Sequence, residues 1–303
     1  MNQELRRDIE QFVKDHTENI FRDIGRLIAV DSVRTDPLPG MPFGEGVVKV
    51  KELAMEISRE LGLEAVDCEN MLCYAGIGGD GDRYLATITH LDVVPVGEGW
   101  TSDPFGMVDK DGYIIGRGVL DDKGPSVLCL YALKYLKDKK IPLRYPVRAL
   151  LGLAEETGME DVDYYLEHYP APLFCFSPDA DFPLIHGEKG ILHGRLISRL
   201  PMGNIVDIRG GVAANVIPSK AEAWVKATSL TGTDKVEVQE ENGLWHLTAR
   251  GVGGHASLPE GTENAIGVLV RYLLDHGLAD ENEERFLRVL AKLNESFRGE
   301  GLG

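Results

Sequence analysis

Three short apolar runs, each closing on a knot of acidic residues, constrain this 303-residue chain more than any other feature. YLATITHLD ends in His90 and Asp92, VRALLGLAEE in Glu155 and Glu156, and LFCFSPDAD in Asp179 and Asp181. Apolar runs this short, bounded by turn residues, read as buried strands. The spacing predicts a helix over residues 126–139 between the first two, with Val127, Leu130, Tyr131 and Leu133 on its apolar side. It predicts a shorter one over 160–168 between the second and third. Strands alternating with helices give an α/β domain, a mostly parallel sheet with helices on both faces. In such sheets ligands gather beyond the carboxyl ends of strands, where the acids fall.

Upstream, Leu5, Ile9, Phe12, Ile20, Ile24 and Leu27 recur at helical spacing and predict two helices interrupted near residues 15–17. Val50, Leu53, Ile57 and Leu61 mark another helix, closed by Gly62, after a loop DPLPGMPFGEG. Past about Gly190 the texture changes. GILHGRLIS and LWHLTARG read as strands of a sheet with one solvated face, and AIGVLVRYLLDH and EERFLRVLAKL as amphipathic helices. The reading is two domains, 1–187 and 188–303, the second α+β.

Lys plus Arg number 32 against 49 Asp plus Glu, a net charge of −17. A surface this acidic repels phosphate backbones, which argues against nucleic acid as a partner. No apolar run approaches the ~20 residues that span a bilayer. The opening MNQELRRDIEQF has no apolar leader core. Cys68, Cys73, Cys129 and Cys175 form no CxxC pair; Cys129 and Cys175 lie in apolar runs as buried thiols, which fits a reducing cytoplasm.

Each polar cluster has a bland reading beside a chemical one. In a strand, residues two apart point the same way, so Asp92 can orient the His90 ring as it binds a metal, or merely cap a strand end. GRGVLDDKG puts Asp121 and Asp122 side by side before a helix, where neighbouring anions call for a cation or for the helix N-terminus. Glu155 and Glu156 can divide the roles of base and ligand or be solvated loop acids. Asp179 and Asp181 can complete a metal sphere or form an Asp-rich turn. Taken together, one histidine and several carboxylates at successive strand ends suit Zn²⁺, Mn²⁺ or Co²⁺ better than Ca²⁺ or Mg²⁺.

HLDVVPVGEGW, DPFG, GRGVLDDKGP, AEETG, FSPDAD and NVIPSKA resemble the successive motifs of the M20 metallopeptidases, and the SPDAD form is most similar to the PepV-like dipeptidases of that family. The resemblance implies a two-zinc catalytic domain with an inserted lid, and hydrolysis of a dipeptide by a metal-activated water. It implies His90 and Asp179 as ligands of one metal, Asp121 as the bridge across a cis Asp121–Asp122 peptide, and Glu156 as a ligand of the second. Glu155 becomes the general base and Asp92 the partner of His90. In the lid, His255 of GVGGHAS stabilises the oxyanion and Asn215 of GVAANVIP contacts substrate.

The chain departs from the family pattern in one respect: no histidine follows His276, so the second metal has only Asp121 and Glu156. The expectation is a chain cut short within its lid before the last ligand, prone to self-association there, with its own activity open. An N-acyl amino acid deacylase and a catalytically dead metal-binding fragment are the alternative readings.

Overall fold

A computed structural model describes residues 3–79, 81–97, 99–180, 182–187, 190, 194–297 and 299, so Asp181 lies outside the described residues. The chain divides into two compact units, Met1–His186 and Gly187–Gly303.

The first unit opens with α1 (Gln3–Ile28), one continuous helix where the sequence predicts a break. His16 explains the difference. It occupies the apolar stripe between Phe12 and Ile20, stacks on Phe12 with ring centroids 4.1 Å apart, and donates from Nδ1 to the Phe12 carbonyl at 2.8 Å. Thr17 and Gln11 likewise satisfy themselves within the helix. Next come α2 (Glu45–Glu60), β1 (Glu64–Cys68), β2 (Leu72–Ile77) and β3 (Leu85–His90). A hairpin, β4 (Val108–Lys110) and β5 (Tyr113–Ile115), leads to α3 (Lys123–Asp138). Then follow β6 (Val147–Gly152), α4 (Glu160–His168) and β7 (Phe174–Phe176).

The sheet order is β1-β2-β6-β3-β7. β3 pairs in parallel with both β6 and β7, whereas β2 pairs antiparallel with β1 and β6. β2 therefore runs against the other four, and the sheet is mixed. Its two faces bury different cores. Ala149 and Leu151 of β6 pack in the core that includes Leu27, Val50 and Leu130, from α1, α2 and α3. Leu150, one residue out of phase, packs with Tyr84 and Tyr165 of α4. Covered on both sides, β6 reads as a continuous apolar run. β7 is an edge strand, as β1 is at the other side, and its Cys175 is exposed rather than buried, because a single flanking strand and no helix shield it among the described residues.

The second unit is an antiparallel sheet of order β11-β12-β10-β8, formed by β8 (Ile205–Gly210), β10 (Lys220–Val225), β11 (Val236–Glu241) and β12 (Leu244–Arg250). α5 (Ala265–Asp275) and α6 (Glu281–Leu293) contribute Val268, Leu269, Leu273 and Leu287 to the core beneath Ala221, Ala223 and Leu247. On the other sheet face Trp224 stacks on His246 at 4.4 Å. A short ladder joins β9 (Val216–Ile217) to β13 (Gly254–His255). GILHGRLIS forms no strand in its described residues, 190 and 194–198; its two glycines weaken the pattern and no neighbour among the described residues supplies a ladder. No helix among the described residues is long and apolar enough to cross a membrane.

Lys123 ties the start of α3 to the end of α1. It is fully buried, and its ammonium donates to the carbonyls of Leu27 at 3.0 Å and Val30 at 2.8 Å. The Leu27 carbonyl also accepts the Val30 N–H at 3.2 Å, and the Val30 carbonyl lies just past the end of α1. Lys123→Met is therefore expected to cost roughly 1–3 kcal/mol, from the loss of a charged donor to both carbonyls. An unchanged midpoint in urea unfolding would show that water or a rearranged backbone satisfies them.

Candidate metal centre

His90 ends β3 and is pinned from several directions. Its backbone N–H donates to Asp122 Oδ2 at 3.0 Å, and its carbonyl accepts from the Ser126 hydroxyl at 3.2 Å. The next residue, Leu91, donates to the Gly152 carbonyl at 2.9 Å, which extends the register of β3 on β6. The imidazole is buried. Its Nδ1 donates to the Asp92 carbonyl at 3.0 Å and lies 3.3 Å from Asp92 Oδ1. That contact fixes the ring and turns Nε2 outward. Around Nε2 stand Asp121 Oδ1 at 2.9 Å, Asp179 Oδ2 at 3.5 Å and Glu155 Oε2 at 3.8 Å.

The carboxylates reach this point from separate elements. Asp121 and Asp122 end the Gly-rich turn before α3, joined by a cis peptide. The turn folds tightly: a Cβ on Gly124 would lie 2.0 Å from the Val119 carbonyl oxygen, so only glycine fits there. Glu155 and Glu156 start a 3-10 turn after β6. Asp179 follows β7. Asp92, almost wholly buried, accepts from the backbone N–H groups of Glu155 at 3.2 Å and Glu156 at 3.1 Å. One carboxylate thus holds both the imidazole and the acidic turn.

Two groups of side chains bring one donor atom each within 4.8 Å of the others: His90 with Asp121 and Glu156, and His90 with Asp122 and Asp179. His90, Asp121, Glu156 and Asp179, four of the residues singled out in the sequence, therefore lie together. Asp122, to which the resemblance assigns no role, joins them. That side chain is fully buried, and its Oδ1 has no hydrogen-bond partner among the described residues. Its acidity fits the crowding: burial, then the neighbouring Asp179, pushes its pKa up to about 8. Burial and Asp121 likewise raise Glu156 to about 7. Glu155 is raised by burial and by nearby carboxylates, against the opposing pull of His90. Burial pushes His90 down, but hydrogen bonds with Asp121, Asp179 and Asp92 outweigh it and raise its pKa. All four shifts record one field, which favours a cation at Nε2. A nitrogen and several carboxylate oxygens, with one buried oxygen left without a partner, fit a divalent ion such as Zn²⁺ or Mn²⁺.

His255 and Asn215 belong to the second unit, where the structure brings them together. His255 pairs with Val216 in the β9–β13 ladder, and Ala256 donates to the Asn215 carbonyl at 2.8 Å. The exposed His255 ring accepts the Ser257 backbone N–H on Nδ1 at 3.2 Å. Nδ1 also lies 2.6 Å from the Ser257 hydroxyl, which can donate to it, and a neutral ring that accepts on Nδ1 carries its proton on Nε2.

Sequence reasoning overlooked Asp161, whose buried carboxylate accepts from the backbone of Leu153, Ala154 and Val162. A polar residue in the first turn of a short helix carries no sequence signal of that contact.

Residues 86–259 match the model of Peptidase family M20/M25/M40. The chain is 35% identical over 308 residues to "Putative dipeptidase YtjP" of Bacillus subtilis (strain 168), covering 94% of this chain and 66% of that protein. It is 34% identical over 320 residues to Beta-Ala-Xaa dipeptidase of Lactobacillus delbrueckii subsp. lactis, covering 98% and 67%. The crystal structure of human carnosine dipeptidase 1 aligns at 22% identity with a TM-score of 0.45, over 52% of this chain and 36% of that one. The chain spans about two thirds of the length of these curated relatives. The family match covers more than half of the sequence and begins on the strand that carries His90, so the chain belongs to Peptidase family M20/M25/M40.

Proposed function

We propose that this chain carries the ion-binding and proton-transfer groups of a divalent-metal-dependent dipeptidase. The observation that carries the reading is the buried His90, with Nδ1 held by Asp92 and Nε2 facing carboxylates from three other segments. In this reading His90 and Asp179 hold one ion, Asp121 bridges, and Glu156 serves a second; Asp122 backs the first group. A divalent ion bound there polarises a peptide carbonyl and acidifies a water.

The protein's own groups do the rest. Asp92 keeps the His90 proton on Nδ1, leaving the Nε2 lone pair for a ligand bond. Glu155 keeps about a third of its side chain exposed, enough to meet substrate, and its raised pKa suits a base that takes a proton from water and returns it to the leaving amine. His255, with its proton on Nε2, is suited to donate to an oxyanion, and Asn215 beside it to contact substrate. The first unit acts as the catalytic domain and the second as the lid. The substrate class is dipeptides with a free carboxyl end, and the likeness to a Beta-Ala-Xaa dipeptidase extends it to those headed by β-alanine.

Calorimetric titration with Zn²⁺ or Mn²⁺ tests the site directly. Divalent ions are expected to bind, and Asp121→Ala to lose most of that binding. Glu155→Gln is expected to keep it while dipeptide turnover falls by ~10²–10⁴-fold. Turnover near that of the parent in Glu155→Gln would place the base elsewhere, and a parent chain that binds no divalent ion would end the reading.

Proton linkage gives a second test. Glu156 and Asp122 are raised to about 7 and about 8 from ordinary values of 4.5 and 3.8. The folded chain therefore holds protons that the unfolded chain has released. That contribution to stability is complete below the ordinary values and is lost as pH rises through the raised ones. Without metal, thermal stability is expected to fall between about pH 5 and pH 8. With excess divalent ion the trend should reverse, because the ion binds the deprotonated carboxylates. A melting temperature in chelator that rises over that range would contradict the assignment.

A further inference from the structure

Four consecutive backbone amides set the course of the chain as it leaves β6. Leu153 and Ala154 donate to Asp161 Oδ2 at 2.5 and 3.1 Å. Glu155 and Glu156 then donate to Asp92 Oδ1 and Oδ2 at 3.2 and 3.1 Å. Two buried carboxylates thus divide the whole run between them. Asp92 also touches His90, so its importance has more than one source. Asp161 hydrogen-bonds to none of the ligand side chains.

An acid in the first turn of a helix is ordinarily a solvated partner of the helix dipole. Asp161 departs from that role in two ways. It is wholly buried and makes no ion pair among the described residues, so backbone N–H groups alone oppose its desolvation, which still raises its pKa. It also reaches out of α4 to the end of β6, where the sequence leaves room for it: a Cβ on Gly152 would lie 2.9 Å from Asp161 Oδ2. The absent side chain at 152 and the carboxylate at 161 fit as one device.

We propose that Asp161 is a positioning residue for the metal centre: with Asp92, it fixes the direction in which Glu155 and Glu156 leave β6 toward His90. This rests on the reading of His90, Asp121 and Glu156 as ion ligands. Removing Asp161 strands two amides and frees the turn, so the cost falls on ligand placement as well as on folding. Outer partners of metal ligands typically contribute 10–100-fold in affinity.

The experiment titrates the full chain with Mn²⁺ alone, by calorimetry, well below the melting temperature of each variant. Asp161→Ala is expected to bind Mn²⁺ ~10–100-fold more weakly than the parent. Asp161→Asn, which keeps an oxygen for both amides, should recover most of that affinity. Tyr165→Phe, on the same helix, loses a buried hydroxyl contact with Tyr84 and should lower stability without moving the affinity. Parental affinity in folded Asp161→Ala overturns the proposal. A full loss in Asp161→Asn also overturns it, by assigning the effect to charge. If Asp161→Ala fails to fold, Gly152→Ala takes its place: it keeps both carboxylates but displaces the Asp161 oxygen, and unchanged Mn²⁺ affinity there overturns the proposal equally. A parent that binds no Mn²⁺ is a separate outcome, since it removes the metal centre itself.

Discussion

Everything in the first unit answers to one electrostatic constraint: several carboxylates are crowded around one buried imidazole. Two like charges about 4 Å apart repel by about 4 kcal/mol at an effective dielectric near 20. A hydrogen bond to a charged group returns about 1.5–3 kcal/mol. Amide donors can therefore hold Asp92 and Asp161 in place, but they cannot neutralise Asp121, Asp122, Glu156 and Asp179 as well. The raised pKa values of Asp122 and Glu156 and the raised His90 are the protein's response without a metal: protons stand where a cation would. The same imbalance makes the site selective for charge before it is selective for any particular ion.

The scaffold makes that crowding possible by letting the carboxylates arrive on independent elements. β3, β6 and β7 run parallel, so their ends meet at one edge, and the Gly-rich turn before α3 brings a fourth segment there. Lys123 extends from that turn into the interior and ends on the carbonyls of Leu27, in α1, and Val30, just past it, so the helix farthest upstream also bears on the position of Asp121 and Asp122. Burial pulls the Lys123 ammonium down to about 8, against the opposing pull of Asp31 and Asp92.

Much of this was legible in the sequence because strand ends declare themselves. Apolar runs stop abruptly at His90, Glu155 and Asp179, and residues that break a buried pattern need a reason to be there. Helices α3 and α4 were legible from their spacing for the same cause, a one-sided core. The features that were missed depend on partners distant in sequence. Residues 15–17 look like a break because His16 is polar, and only its stacking on Phe12 shows that it serves as a core-facing residue. β2 gives no sign of running backward, since strand direction is set by the turn before it and not by its own pattern. Cys175 looks buried from its neighbours Phe174 and Phe176, but burial belongs to the sheet position, and β7 lies at the edge.

Asp122 and Asp161 show where reading by motif falls short in the site itself. Next to Asp121, Asp122 looks like a spare acid before a helix, yet its side chain gives no cap to α3. One of its oxygens holds the His90 backbone, and the other is buried without a partner. Asp161 looks like an ordinary first-turn acid, yet it bonds to the two residues just past β6. In both cases the residue type was visible and the burial was not. A buried carboxylate has only a few ways to be stable, namely amide donors, a countercharge or a proton. Asp161 has the first in three N–H groups, although burial still raises its pKa. Asp122 has one amide and a raised pKa, which leaves its second oxygen as the place where an added cation would gain most.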